Sequence, residues 1–433
     1  MRTVILGVAA GVGLLLAAVL YQQIVVEHSL GPAATVAVAV LATALLALVG
    51  TALALSTRYR DAVLNAWLAV FSVVVSYLVL DLAAGYILIR PLSPPLVADL
   101  KRHHKLVPNS FAEFHQQDFA YVQRVNALGL RGKDVSVQKA PGSYRIVMLG
   151  DSFTMGKGVE DDQTFSMVLE TALKRSGRTC NTPVEIVNGG VDSYAPVLEY
   201  IQLKDDLAPL SPDMVVLNLD VSDLVQETAY RSLAERDAAG DIVAVPQHPE
   251  PANLLESIRV WSERHMFFTR VALYFANRAL GYHELTVRDV VNRADAEIVA
   301  HTLTNDVDRT KQWNDIFDSL RHIKAFCDLH HIEFVLTLYP WAHQISDTEW
   351  VPGRYVFMTA DAKPSTVTRE TVHRLAARDS IELIDMFDTF IAHKDQGPLY
   401  FAHDMHWNAT GQRVMGPRTR MPVSAGNVRP ANR

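Results

Sequence analysis

Cysteine is scarce in this 433-residue chain, with only Cys180 and Cys327 present. Two cysteines allow one bridge at most. The residues leave a disulfide and two free thiols equally open, since Cys180 precedes a predicted strand and Cys327 falls late in a predicted helix. No internal repeat is present, and no basic run or nucleic-acid signature stands out. With 40 Lys and Arg against 47 Asp and Glu the net charge is -7, so nucleic acid is not an expected partner. There is no HExxH helix. The adjacent pair His103-His104 has no second cluster of ligating residues, and His403-Asp404-Met405-His406 lacks a helical ligand context. Neither a metal nor a cofactor is expected.

Long apolar runs are what the chain does have. Hydrophobic residues make up 49% of the chain and concentrate at 3–26, 30–55 and 62–89. Each run is long enough to cross a bilayer as a helix, so residues 1–90 are predicted to form an anchor of three transmembrane helices. The first run is too long for a signal peptide and has no clean small-residue cleavage site. Arg2 precedes it, Arg58 and Arg60 lie between the second and third runs, and Glu27-His28-Ser29 lacks Lys and Arg. By the positive-inside rule the N-terminus is cytoplasmic and the remainder of the chain extracytoplasmic or periplasmic. Asp81, the charge inside the third run, is expected to sit hydrated near the outer interface rather than to serve a partner or a polar passage.

Residues 91–143 are expected to be a linker, ending in a turn-rich segment at 125–132 that packs against the domain after it. From Tyr144 the pattern alternates. Short apolar runs at 144–149, 184–188, 214–219, 332–338 and 381–384 read as buried strands, separated by helical stretches at 162–176, 197–207, 307–330 and 366–378. This predicts a parallel α/β sheet over 144–416. An insertion at about 229–306 has a hairpin turn at 238–241 and a helical stretch at 254–280, and would cap or shape the site or form an oligomer surface. A tail at 417–433 is expected to be disordered.

The chemistry centres on Gly150-Asp151-Ser152, where a buried strand ends abruptly. Ser152 would then stand at the carboxyl end of a strand, where open α/β sheets place their ligands. A serine needs a base. His406 is the best candidate among 16 histidines, with Asp404 two residues before it to hold the ring by its other nitrogen. Candidate oxyanion donors are the Ser152 amide, the Gly190 amide in Asn188-Gly189-Gly190, and a side chain from Asp220-Val221-Ser222-Asp223. Trp341 and His343 follow the fourth strand and are candidate substrate-loop residues. Each motif also has a plain structural reading: Gly189-Gly190 as a turn, Asp223 and 404–406 as helix caps, Trp341 and His343 as packing.

Taken together, Gly150-Asp151-Ser152-Phe153, 188–194, 217–224 and 404–408 resemble the four blocks of the SGNH/GDSL hydrolase family, over roughly 144–416 without the insertion. The segment 126–131 resembles one found upstream of these blocks in membrane-anchored members. The resemblance implies a flavodoxin-like three-layer α/β/α sandwich without a cofactor, here preceded by the three transmembrane helices. It implies a Ser-His-Asp mechanism on esters, often O-acetyl groups of carbohydrate. Ser152 would be nucleophile and oxyanion donor, Gly190 the second donor, His406 the base and Asp404 its orienter. Two departures stand out. Ser222-Asp223 occupies the place of Asn-Asp, so Ser222 would have to act as third donor, and the acid lies two rather than three residues before His406, where His403 stands. The expected function is a membrane-anchored extracytoplasmic serine esterase acting on acylated cell-envelope carbohydrate. The alternatives are an O-acyltransferase subunit working with a membrane acyl-donor protein, and a non-catalytic glycan-binding or assembly protein of the same fold.

Overall fold

The structure is a computed structural model that describes residues 57–88, 96–176, 182–247, 265–269, 271–272, 296–304 and 307–418. The chain divides into two compact units, one made of 1–92 with 249–284 and the other of 93–248 with 285–433.

In the first unit, α1 (Thr57–Leu88) is a continuous helix of 32 residues over the third apolar run. The first two runs, 3–26 and 30–55, lie outside the described residues. Among the described residues no helix is long and apolar enough to cross a membrane, so the expected three-helix anchor gains no support here. Asp81 departs from expectation. It is fully buried and accepts hydrogen bonds from the amides of Phe268 (2.5 Å) and Thr269 (3.1 Å) and from the Thr269 hydroxyl (2.5 Å). A buried carboxylate is tolerable when such donors replace its water. The centre of the insertion thus belongs with α1 by contact, where the sequence suggested a cap over the site. The expected helix at 254–280 lies largely outside the described residues.

The second unit is built on five parallel strands: β5 (Tyr144–Leu149), β6 (Val184–Asn188), β7 (Met214–Leu219), β10 (Glu333–Leu338) and β11 (Glu382–Asp385). Their order is β11-β10-β7-β5-β6, which in chain order is the 2-1-3-4-5 arrangement of flavodoxin-like folds. β5 and β7 are buried along their whole length, as the apolar stretches 146–149 and 214–217 within them require of strands covered on both faces. The helices gather in two groups. α3 (Phe165–Ser176) and the short α8 (Phe387–Ile391) pack on α9 (Ala409–Arg418), while α4 (Pro196–Gln202), α5 (Asp223–Leu233) and α6 (Thr310–Leu329) pack together with α7 (Val367–Arg378) beside α6. The result is the expected α/β/α arrangement. Cys327 in α6 is buried and unbridged, and burial pushes its thiol up to about 12; Cys180 lies outside the described residues. α9 runs through Pro417 to Arg418, into the first two residues of the expected tail, and the rest of that tail is outside the described residues.

The expected linker is instead structured. It forms two antiparallel hairpins, β1 (Leu96–Asp99) with β2 (His103–Leu106), and β3 (Phe111–His115) with β4 (Ala120–Arg124). His104 is buried. A third hairpin pairs β8 (Glu235–Arg236) with β9 (Ile242–Ala244) around the predicted turn. Val245, just after β9, accepts a hydrogen bond from the His103 amide at 2.6 Å.

Candidate active site

β5 is followed by Gly150, whose φ of +148° only glycine adopts easily. A Cβ there would stand 2.1 Å from Thr154 Oγ1. The chain then turns into a short helix, α2 (Ser152–Met155), capped by the Asp151 carboxylate on the Phe153 amide at 2.8 Å. This brings Ser152 to the sheet edge. Its Oγ lies 2.7 Å from His406 Nε2, and His406 Nδ1 lies 2.5 Å from Asp404 Oδ1. The Asp404 carboxylate accepts the Nδ1 hydrogen, which leaves the Nε2 lone pair facing the serine hydroxyl. Asp404 is held well below the ordinary carboxylate range. Burial works against this, but the His406 ring and its hydrogen bonds and the nearby Lys157 charge outweigh it. The Phe153 ring lies 4.5 Å from the imidazole and fixes its plane. The three predicted residues are therefore assembled.

The predicted oxyanion donors divide. The Ser152 amide has no acceptor among the described residues. The Gly190 amide donates to Asn188 Oδ1 at 3.0 Å and is already committed. What Gly190 provides is close approach, since a Cβ there would stand 2.3 Å from the Met155 amide nitrogen. Ser222 is likewise occupied: its hydroxyl (2.5 Å) and amide (2.7 Å) both donate to Asp220 Oδ1. A serine side chain is too short to escape its own Asx-type loop, and the predicted third donor is not offered. Further along the glycine block, the Val191 amide donates to the Gly150 carbonyl at 3.1 Å and the Tyr194 amide to Val191. The amides of Asp192 and Ser193 have no partner among the described residues, and Ser193 has a φ of +59°. That block is glycine-rich and polar, but nothing in the sequence distinguishes Ser193 from Gly190.

Trp341 and His343 are not substrate-facing. Both are about 1% exposed. Trp341 Nε1 donates to Asp220 Oδ2 at 2.7 Å. His343 Nε2 lies 2.5 Å from Thr302 Oγ1, and burial together with the Arg354 charge pushes its imidazole down to about 3. The sheet edge behind the nucleophile is acidic. Asp151, Glu199, Asp220 and Asp223 are all buried and all raised above the ordinary range by burial; neighbouring carboxylates push Asp151, Glu199 and Asp223 further up, while hydrogen bonds from Ser222, Trp341 and Tyr339 pull Asp220 back.

The upstream hairpins hold the site. Asp118, between β3 and β4, accepts the amides of His403 (2.6 Å) and Asp404 (2.9 Å) and pairs with His403 Nδ1 at 2.7 Å. His403 is thereby turned away from His406, and Asp404 is left as its acid. Arg131 is 3% exposed and donates to the carbonyls of Met155 (3.0 Å), Gly156 (2.5 Å) and Val159 (2.5 Å) just after the nucleophile. No metal-binding cluster of His, Cys, Asp and Glu occurs among the described residues.

No family model matches the chain, and no curated protein matches it. Solved structures with a similar fold include an acetyl xylan esterase, AlAXEase, at 14% identity and a TM-score of 0.32, covering 62% of this chain and 94% of that one. A variant of an acetyl-xylooligosaccharide esterase from Geobacillus is similar at 11% identity and a TM-score of 0.33, over 64% and 93% of the two chains. A GDSL-like lipase from Bacteroides thetaiotaomicron is similar at 12% identity and a TM-score of 0.30, over 63% and 83%.

Proposed function

We propose that the chain is a serine esterase of the SGNH type, carried by the hydrogen-bonded line Ser152–His406–Asp404. His406 Nε2 takes the Ser152 proton as Oγ attacks the ester carbonyl. Asp404 holds the ring and stabilises the imidazolium. The proton then passes to the leaving alkoxide, and a water or a sugar hydroxyl resolves the acyl-enzyme. The developing oxyanion falls to the Ser152 amide, which has no acceptor among the described residues. O-acetyl esters of cell-envelope carbohydrate are the substrate class supported by the family resemblance of the four blocks.

Membrane anchorage with an extracytoplasmic domain belongs to the same proposal. Its support lies in the sequence runs at 3–26, 30–55 and 62–89 and in the outward apolar side chains of α1, such as Val79, Leu80 and Ile87. Transfer from a membrane acyl-donor protein is the variant of this reading in which a sugar hydroxyl replaces water. A non-catalytic glycan-binding role is the second reading, favoured by the occupied Gly190 and Ser222 donors.

Hydrolysis of p-nitrophenyl acetate by the full chain in detergent separates these readings. Loss of turnover by at least a thousandfold in both Ser152→Ala and His406→Ala, with circular dichroism unchanged, is expected from about 10³–10⁶ for triad removal. Equal rates in wild type and both variants, with no labelling of Ser152 by a fluorophosphonate, would leave only the binding reading.

A further inference from the structure

Residues 349–353, in the chain that follows β10, bond to residues 399–403 just ahead of the acid and base of the triad. The buried Glu349 carboxylate accepts the amides of Leu399 (3.0 Å) and Tyr400 (3.1 Å). The Gly353 amide donates to the Ala402 carbonyl at 2.9 Å. Trp350 Nε1 donates to the His403 carbonyl at 3.2 Å. The last of these bonds falls on the peptide that leads into Asp404.

That one peptide is held at both of its polar ends by different parts of the chain. Its N–H, on Asp404, donates to Asp118 at 2.9 Å, and its C=O, on His403, accepts the Trp350 indole. A trans peptide is planar, with its N–H and C=O pointing in opposite directions, so a bond on each side fixes its rotation about the chain. That rotation sets where the Asp404 side chain starts. Its Oδ1 has to reach both the His406 amide (2.9 Å) and His406 Nδ1 (2.5 Å). The indole has little room to swing away. Trp350 is about 1% exposed, stacks on Phe357 at 5.4 Å and sits at φ +55°, which a non-glycine residue keeps only where its surroundings enforce it. Gly353 leaves the space for the bond. A Cβ there would stand 2.5 Å from both the His403 carbonyl oxygen and Trp350 Nε1, and its φ is not left-handed, so room rather than conformation calls for glycine.

We propose that Trp350 is a positioning residue for the acid of the triad, holding the His403–Asp404 peptide so that the Asp404 carboxylate stays on His406 Nδ1, with Gly353 keeping the path of that bond clear. This rests on the Ser152 esterase reading, since the placement of Asp404 matters only if His406 serves as base. Trp350 acts through Asp404. The acid stabilises the imidazolium only while its oxygen lies on Nδ1, so a displaced peptide lowers the rate of the chemical step and leaves substrate binding largely as it was. Two substitutions divide the device. Trp350→Phe keeps an aromatic ring against Phe357 and removes the N–H. Gly353→Ala keeps the N–H and drives a methyl group between donor and acceptor.

The test joins steady-state hydrolysis of p-nitrophenyl acetate by the full chain in detergent to the proton NMR signal of His406 Nδ1–H. A short bond to a carboxylate places that signal far downfield, and its absence in His406→Ala identifies it. Gly353→Ala is expected to lower kcat by about tenfold to a hundredfold, to leave KM within about twofold, and to move the downfield signal. Trp350→Phe should lower kcat by about threefold to tenfold, as the loss of one hydrogen bond does, and move the same signal. It also keeps the test available if Gly353→Ala misfolds. The double variant should be no slower than Gly353→Ala alone, because both changes break one bond. Wild-type kcat in the folded variants overturns the positioning role alone, and so does a lowered kcat with the downfield signal unmoved, since the loss would then not run through Asp404. Losses that multiply in the double variant overturn the shared action of Trp350 and Gly353. Absence of turnover and of fluorophosphonate labelling in the wild type overturns the esterase reading and the positioning role with it.

Discussion

Asp118 touches none of the reacting atoms, yet its carboxylate gathers the amides of His403 and Asp404 and the His403 ring. Three bonds to one carboxylate fix where Asp404 begins, and Asp404 in turn fixes the His406 tautomer. Replacing Asp118 with Ala should leave the fold intact and lower kcat by roughly tenfold to a hundredfold with little change in KM, because a displacement of about 1 Å in a catalytic group has that cost. Steady-state kinetics with a p-nitrophenyl ester checks this. An unchanged kcat would show that the 403–406 turn holds itself. His403 stands where a more usual sequence has the acid, so Asp118 also explains why the spacing of two residues works here: the side chain at the customary position already has a partner.

Among the elements, the segment between the hairpins and β5 is the one most tightly bound to the nucleophile. Asn126 Oδ1 accepts the amides of Leu128 (2.9 Å) and Leu130 (3.1 Å), which shapes the turn that presents Arg131. The guanidinium satisfies three carbonyls after α2 and forms an ion pair with Asp161 at 2.9 Å. A lysine has one ammonium and no planar fork, so it cannot reach all of them. Arg131→Lys should lower the stability of the second unit by about 3 kcal/mol, in the range found when a buried pair loses a partner. It should slow Ser152 labelling as well, because those carbonyls close α2 and the turn directly after the nucleophile. Denaturant midpoints and labelling rates measured on one preparation test both effects. A variant as stable as wild type would mean that water replaces the lost donors.

At the scale of the whole second unit, the acid cluster under the sheet edge sets a pH dependence. Glu227 is fully buried and accepts from the Val197 amide (2.9 Å) and the Ser319 hydroxyl (2.5 Å). Burial pushes it up to about 7, against the pull of these bonds and of Arg231. A carboxyl raised in the folded state binds more protons there than in the unfolded chain. Its stabilisation is therefore present below the unfolded value and lost as pH rises through the folded one. Relative to Glu227→Gln, the wild type should lose stability between about pH 4.5 and 7 and change no further above that. Buried neutral imidazoles such as His104 and His343 act in the opposite sense over the same window. The comparison is therefore between variant and wild type, read as the difference of their thermal midpoints against pH. A constant difference would show that Glu227 titrates normally.

The sequence by itself determined the sheet, because β5, β6, β7 and β10 are short apolar runs whose burial is a local property of each stretch. It also singled out Ser152, His406 and Asp404 as a set, which the structure brings into one hydrogen-bonded line, because their residue types and order could be read without their surroundings. Tertiary structure decided the rest. Whether a donor is free depends on its neighbours, and Gly190 and Ser222 lost their roles to Asn188 and Asp220 within a few residues of chain, through side-chain bonds that no pattern announces. Trp341 and His343 were covered rather than exposed because the chain around Thr302 and Trp350 packs over them. The hairpins of 96–124 are half-exposed strands of four or five residues, too short and too mixed in polarity to read as more than a linker. Their contribution, His104 on Asp192 and Asp118 on Asp404, joins residues 88 and 286 positions apart. Contacts at that separation exist only once the core has brought the strand ends together.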